Sequence, residues 1–219
     1  MMNLLLGGVC ILIPIIGPIV VLGWAITGFW GRQDEAFETF PAFDFSNFGK
    51  YLERGLWPFL VTFVASLVFI PVGWILAIPV MLLAGFSAQG HNNNAAGCMA
   101  VFVTLLIVLF FAIMLLAMLF VIVPLKIRAS LTQDFVKSFD LRFIRRFIAL
   151  TWVEILISSL FIMVASIVLW CIGALVFCVG VYFALVVIYF SWTHLYKQLY
   201  ALYLSRGGEP VPLSPKLAT

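Results

Sequence analysis

Five long apolar runs dominate this chain, at about residues 4–30, 57–86, 98–125, 147–170 and 175–204. Each run is long enough for the roughly 20 residues that cross the hydrocarbon core of a bilayer. Apolar residues make up 65% of the sequence and charged residues only 10%, so the chain has too few polar groups to cover a water-facing surface. Lipid is therefore the solvent of most of the chain.

Lipid restricts the fold, because every backbone N–H and C=O must be bonded within the protein there. A membrane barrel needs strands of about ten residues with alternating polarity, and these continuous runs lack that alternation. We therefore predict an all-α integral membrane protein with about five transmembrane helices in a single domain, residues 1–204. The proline-containing residues 205–219 are predicted to form an extended or disordered tail.

The basic residues predict an orientation in the membrane. Lys and Arg occur between the first and second runs, between the third and fourth, and towards the C-terminal end, whereas residues 87–97 contain none. Five crossings place all the basic segments on one side, which the positive-inside rule assigns to the cytoplasm. We expect a multi-pass protein of a prokaryotic cytoplasmic membrane, with a cytoplasmic C-terminus, an N-terminus outside and a retained first apolar run.

Prolines interrupt two of the runs. The first run contains Pro14 and Pro18, and the second contains Pro71 and Pro79. A proline removes a backbone donor, so these positions are predicted to kink or break their helices. The first run has two interpretations. It is a kinked crossing, or it is a re-entrant hairpin, which leaves four crossings and moves the N-terminus to the cytoplasm.

A ten-residue pattern occurs twice, at residues 43–52 and 139–148, and each copy precedes an apolar run. Asp44 and Asp140 take the same place in the two copies and are predicted to cap the N-terminus of a helix. Apolar and basic residues follow on different faces, which is typical of an amphipathic helix in the headgroup layer. These residues are Phe45, Phe48, Lys50, Leu141, Arg145 and Arg146. The pattern predicts two interfacial helices and an internal duplication, and chance matching in a Phe-rich chain is the alternative.

Three ionisable residues fall within the predicted spans, namely Glu154, His194 and Lys197, and such residues are functional hypotheses by default. Glu154 and Lys197 both lie about 10 Å below the predicted cytoplasmic surface at ~1.5 Å per residue, so we predict that they pair. A structural ion pair and an ion relay are the two interpretations. His194 is a weak candidate for a haem or pigment ligand, because no second ligand accompanies it.

Other reactive groups give no site. The four cysteines lack metal-ligand spacing, and the serines in the spans lack the elbow motif of a nucleophile. We therefore predict no catalytic residue, no metal, no cofactor and no nucleic-acid partner. Bound lipid is expected, and contact with a pigment or haem stays open.

Several segments of the chain resemble a known family. They are Asn3-Leu-Leu-Leu-Gly-Gly, Ile13-Pro-Ile-Ile-Gly-Pro, Leu22-Gly-Trp24, Phe40-Pro-Ala-Phe43, Ser138-Phe-Asp-Leu141 and Thr193-His-Leu-Tyr-Lys-Gln-Leu-Tyr200. Together they resemble a prokaryotic multi-span domain-of-unknown-function family (number four thousand and thirteen). The resemblance covers most of the chain. It implies a membrane fold, and it carries no activity.

The function we expect follows from these observations. Aromatic-rich spans without a catalytic motif favour an accessory or structural subunit of a larger membrane complex. Its partners would be membrane lipids and other integral membrane subunits. A lipid-handling or bilayer-organising protein and a component of a small-solute or ion transporter are the alternatives.

Overall fold

The computed structural model describes residues 2–31, 39–88, 93–176 and 179–217. Those residues form helices and contain no strand, which confirms the predicted all-α class. The α-helices in chain order are α1 (Met2–Ile11), α2 (Ile16–Trp30), α3 (Phe48–Ala88), α4 (Asn93–Thr132), α5 (Phe135–Ser138), α6 (Leu141–Leu175) and α7 (Gly180–Ser205).

Three described segments are long and apolar enough to cross a membrane, namely Phe45–Pro79, Val101–Thr132 and Phe135–Leu175. They match the second, third and fourth predicted spans. The fifth predicted span corresponds to α7, which has 26 residues and is less apolar. The first apolar run forms the two shorter helices α1 and α2. A count of five crossings therefore stays a prediction.

The first apolar run is broken at Pro14, between α1 and α2. The chain reverses there, because Gly17 lies against the backbone of Cys10, and Gly7 lies beside the ring of Trp24. These contacts make α1 and α2 an antiparallel helical hairpin. Proline has no N–H and disfavours a helical conformation in the residue before it, so the predicted break at Pro14 is confirmed.

The other three predicted breaks have different outcomes. Pro18 lies in the first turn of α2, where a helix needs no backbone donor. Pro71 and Pro79 lie inside α3, which continues through both of them, so neither breaks the helix. Unwinding α3 would leave several backbone groups without partners in hydrocarbon, whereas each proline removes only one donor.

The buried core lies towards one end of the helices. Its largest cluster joins α2, α4, α6 and α7 and has at its centre Ile26, Ile127, Phe147, Ile155 and Tyr203. We call residues 43–55, 126–146 and 203–217 the charged end, and residues 66–82, 101–116 and 160–176 the apolar end. Large apolar side chains of the apolar end are exposed, which suits a surface in contact with lipid.

The helices α2 and α3 cross with their backbones in contact. Gly23 of α2 faces the carbonyl of Tyr51, and Gly55 of α3 faces the carbonyl of Ile19. A methyl group at either glycine would overlap the facing carbonyl. Small residues allow such close approach between helices in membranes, where packing contacts drive association.

The two repeated segments begin long helices, whereas the sequence predicted separate short ones. The Asp44 carboxylate accepts a hydrogen bond from the N–H of Ser46, just before α3. The Asp140 carboxylate accepts two from N–H groups in the first turn of α6, so both caps are confirmed. A kink at Thr151 gives residues 141–150 their own direction within α6. The duplication stays a prediction.

Residues 206–217, for which the sequence predicted an extended or disordered tail, are bound to the charged end. Gly207 ends α7 with a φ of 82° and turns the chain back towards the bundle. The N–H of Val211 donates to the Tyr200 hydroxyl at 2.7 Å, and the N–H of Ser214 donates to the Leu131 carbonyl at 2.8 Å. Burial of apolar side chains in the tail, Val211 among them, provides the driving force.

The crossing of α2 and α3 is testable with one added methyl group. Gly23→Ala should destabilise the protein by about 1–3 kcal/mol, because the methyl group overlaps the Tyr51 carbonyl. Gly49→Ala is the control, since a methyl group there meets no atom within 4 Å. Thermal unfolding of both variants in detergent checks the difference. Equal stability of the two would contradict the crossing.

Candidate functional site

Ion pairs link the elements of the charged end. Arg128 on α4 pairs with Asp140 at the start of α6, at 2.8 Å. Lys137 pairs with Asp134 across one turn of α5, at 3.5 Å. Two pairs attach the tail to the helices, namely Arg146 with Glu209 at 2.5 Å and Lys216 with Glu53. The polar contacts at this end therefore hold α3, α4, α6 and the tail in fixed relation.

Glu154 has a cation as its partner, but the cation differs from the one predicted. Both of its carboxylate oxygens accept from the guanidinium of Arg206, at 2.5 and 3.0 Å. Lys197 precedes Arg206 by nine residues, about two and a half helical turns, so the two project from nearly opposite sides of α7. The predicted pairing with Lys197 is therefore corrected to Arg206. The planar guanidinium suits a bidentate bond to a carboxylate.

Arg54 is a buried cation that no sequence pattern indicated. It is 6% exposed and donates to the Thr27 hydroxyl of α2 at 3.0 Å and to the carbonyl of Lys216. These bonds join α2, α3 and the tail at one point. No local pattern could have revealed them, because Arg54 and Lys216 are 162 residues apart.

The capping aspartates are held in their charged form. Hydrogen bonds from the Ser46 hydroxyl and N–H lower the pKa of Asp44 below its usual value. A hydrogen bond from the N–H of Lys137 likewise lowers the pKa of Asp134, which caps α5. A lowered pKa in the fold means that the stabilising contribution is present above the unfolded pKa and is lost as pH falls through the folded pKa.

The apolar residues predicted, in the two repeated segments, to face acyl chains or other helices are mostly exposed, and their interfacial position stays a prediction. Phe45 and Leu141 are exposed and Phe48 is half-buried. Lys50, Arg145 and Arg146 are also exposed. The buried positions of these segments are Phe43, Tyr51, Phe143, Ile144 and Phe147, which pack on the core.

His194 lies in a groove of about 280 Å³ between α6 and α7. Its Nε2 atom is 3.0 Å from the amide nitrogen of Gln198, and its ring centre is 5.3 Å from that of Phe29. Within the described part of the chain, no three His, Cys, Asp or Glu side chains come together to hold a metal ion. A role for His194 as a haem or pigment ligand stays a prediction.

A larger cavity, open to the surface of the protein along one side, lies between α3 and α4, towards the apolar end. Its volume is about 630 Å³ and its lining is almost entirely apolar. The lining residues are Ser66, Phe69, Ile70, Gly73, Trp74, Ala77, Met81, Phe111, Met114, Leu115 and Met118. The cavity could not be identified from the sequence, because these residues do not differ in type from those of the rest of the spans.

The family follows from residues 6–178, which match the model of a family described as "Protein of unknown function (DUF4013)". The chain belongs to this family. The sequence-based prediction of this family is thereby confirmed, and its description as prokaryotic and multi-span stays a prediction. No curated protein and no solved structure matches the chain. The DUF4013 model therefore establishes membership, and the function has to be argued from the geometry.

The pair of Glu154 and Arg206 is testable with a double-mutant cycle. Glu154→Gln and Arg206→Gln should each destabilise the protein. The double variant should be at least as stable as the less stable of the two single variants. The reason is that each single variant leaves one charge without its partner, whereas the double variant removes both charges. Thermal unfolding in detergent measures the coupling. The control is Lys197→Gln, whose effect should add to that of Glu154→Gln, and an equal coupling with Lys197 would contradict the assignment.

Proposed function

We propose that this protein is a non-catalytic, lipid-handling protein of the membrane, in which the cavity between α3 and α4 holds the apolar chain of a lipid. The cavity is the observation that carries the proposal. Its volume of about 630 Å³ lies within the roughly 300–1,000 Å³ of small-molecule sites in proteins. This choice was an alternative at the sequence level, and the geometry favours it over the accessory subunit.

The chemistry of the lining supports an apolar ligand. Met81, Met114 and Met118 have flexible, polarisable side chains that adapt to ligands of irregular shape. Phe69, Phe111 and Trp74 add broad apolar surfaces. Among the described lining residues Ser66 has the single hydroxyl group, and none is charged. A hydrocarbon chain fits this lining, whereas a hydrated ion would lose its water without compensation.

We infer that the charged end faces the cytoplasm, because the basic residues concentrate there and cytoplasmic segments are rich in Lys and Arg. The hairpin of α1 and α2 then supports the re-entrant interpretation of the first apolar run. With 10 residues at ~1.5 Å each, α1 extends ~15 Å, about half of the ~30 Å hydrocarbon core. The N-terminal end of α1 would lie on the cytoplasmic side.

An accessory subunit is the second candidate, and one observation favours it. Ile157, Phe161, Val164 and Val168 on α6 are exposed and recur at intervals of three and four residues. Such a stripe suits packing against a transmembrane helix of another subunit. Chains that co-purify stoichiometrically with the protein in mild detergent would favour this candidate, and retained lipid alone would favour the first.

The cavity is testable by filling it. Gly73→Leu should remove most of the lipid that purifies with the protein, because Gly73 lines the cavity and a branched side chain there occupies the space of a ligand. Gly85→Leu is the control on the same helix, since a Cβ atom there meets nothing within 4 Å. Mass spectrometry of lipids extracted from the purified variants measures the effect. Unchanged lipid content in Gly73→Leu would contradict the proposal.

The orientation is testable by cysteine labelling after replacement of the native cysteines. Val136→Cys, at the charged end, should be protected in intact cells from a membrane-impermeant thiol reagent, and Val176→Cys, between α6 and α7, should react. Both native side chains are exposed, whereas Ser138 is fully buried and would be protected on either side. Labelling of Val136→Cys but not of Val176→Cys would show that the orientation is opposite to the one we infer. Detergent permeabilisation, which should expose both, is the control.

A further inference from the structure

The first turns of α6 present a group of arginines, which we call the arginine face. Arg142, Arg145 and Arg146 border a surface hollow of about 560 Å³ together with Leu141 and Ala149. Residues three, four and seven positions apart share one side of a helix, so these side chains project together. The opposite side of the same turns packs on the core, which fixes the arginine face on a rigid support.

The three arginines do not have equivalent contacts. Arg146 donates to the carboxylate of Glu209 and to the carbonyl of Gly207, so it is bound to the tail. The guanidinium groups of Arg142 and Arg145 make no hydrogen bond or ion pair with the residues that the structure describes. Each guanidinium carries a permanent charge and a planar set of donors that matches a phosphate group. Two such groups at one hollow are suited to an anion.

The surface of α6 next to the arginine face identifies the kind of anion. Ala149 leaves space beside the arginines, and Trp152, one turn further, is 54% exposed. Beyond the kink at Thr151, Val153 is exposed beside Trp152, and exposed Ile157 and Phe161 follow Val153 at intervals of four residues along one side of α6. Moving along α6, the surface therefore changes from cationic to aromatic to aliphatic. A membrane lipid presents the matching order of phosphate, interfacial glycerol and acyl chain, and tryptophans are enriched at that interface.

We propose that the arginine face binds the phosphate of an anionic membrane lipid, whose acyl chains lie along Trp152 and the apolar surface of α6. A free anion would use the arginines and leave Trp152 without a role, so the lipid is the source that fits both. This site is separate from the cavity between α3 and α4. If the arginine face bound no lipid, the proposed function of the cavity would therefore be unaffected. If the cavity held no lipid, the proposal for the arginine face would likewise be unaffected.

The test is a titration of the purified full chain with dioleoylphosphatidylglycerol, followed by native mass spectrometry. Arg142→Gln together with Arg145→Gln should weaken binding by roughly tenfold or more, since each basic residue near a charged membrane surface contributes appreciably to attraction. The matched control is Lys50→Gln with Lys137→Gln, which removes the same charge from the same end. It should change the affinity by less than about twofold if the arginines act locally. Equal weakening in both double variants would overturn the proposal.

Two further variants address folding and the source of the phosphate. Arg142→Lys with Arg145→Lys keeps the charge and loses the planar donors, so it should fold and bind at an intermediate strength. Unchanged binding in this variant would overturn the bidentate role of the arginines. Trp152→Ala should weaken binding of the lipid and leave competition by inorganic phosphate unaltered. Arginine-dependent binding of inorganic phosphate as strong as that of the lipid would overturn the lipid assignment.

Discussion

The need to bond every backbone amide within the protein governs this structure. In hydrocarbon an unwound segment exposes donors and acceptors that water would otherwise satisfy. For this reason α3 stays helical through Pro58, Pro71 and Pro79, although proline is a strong helix breaker in water. The chain reverses at Pro14 in an exposed turn, residues 12–16, in which the N–H groups of Leu12, Ile13 and Ile16 donate to nearby backbone carbonyls. The break is tolerated there because local hydrogen bonds of the turn replace those of the helix.

The same constraint separates the two ends of the molecule. Charged side chains collect at one end, where pairs such as Arg128 with Asp140 join elements that are distant in sequence. At the other end side chains are apolar and exposed, and packing between helices leaves the cavity near Gly73. The fold is therefore held by specific polar contacts at one end and is only loosely packed at the other. That division is the basis on which we propose a lipid site at the apolar end.

Local sequence patterns predicted the features that depend on local physics. The long apolar helices, the caps at Asp44 and Asp140 and the break at Pro14 each arise from residues within a few positions of one another. The predicted partner of Glu154 was wrong because the residue that pairs with it, Arg206, lies beyond the end of the predicted span and was not considered. The bound tail and the cavity were missed for a related reason. Both depend on which helices become neighbours, and hydrophobic periodicity does not contain that information.

The position of Arg54 has a consequence for the order of assembly. During synthesis the segment that contains Arg54 emerges long before Lys216, whose carbonyl accepts one of its hydrogen bonds. Until residue 216 has been made, the Nη2 atom of Arg54, which donates to this carbonyl, must be solvated by water or by lipid phosphate. The junction of α2, α3 and the tail is therefore completed late. Insertion of the helices and closure of the charged end are separate events in the biogenesis of this protein.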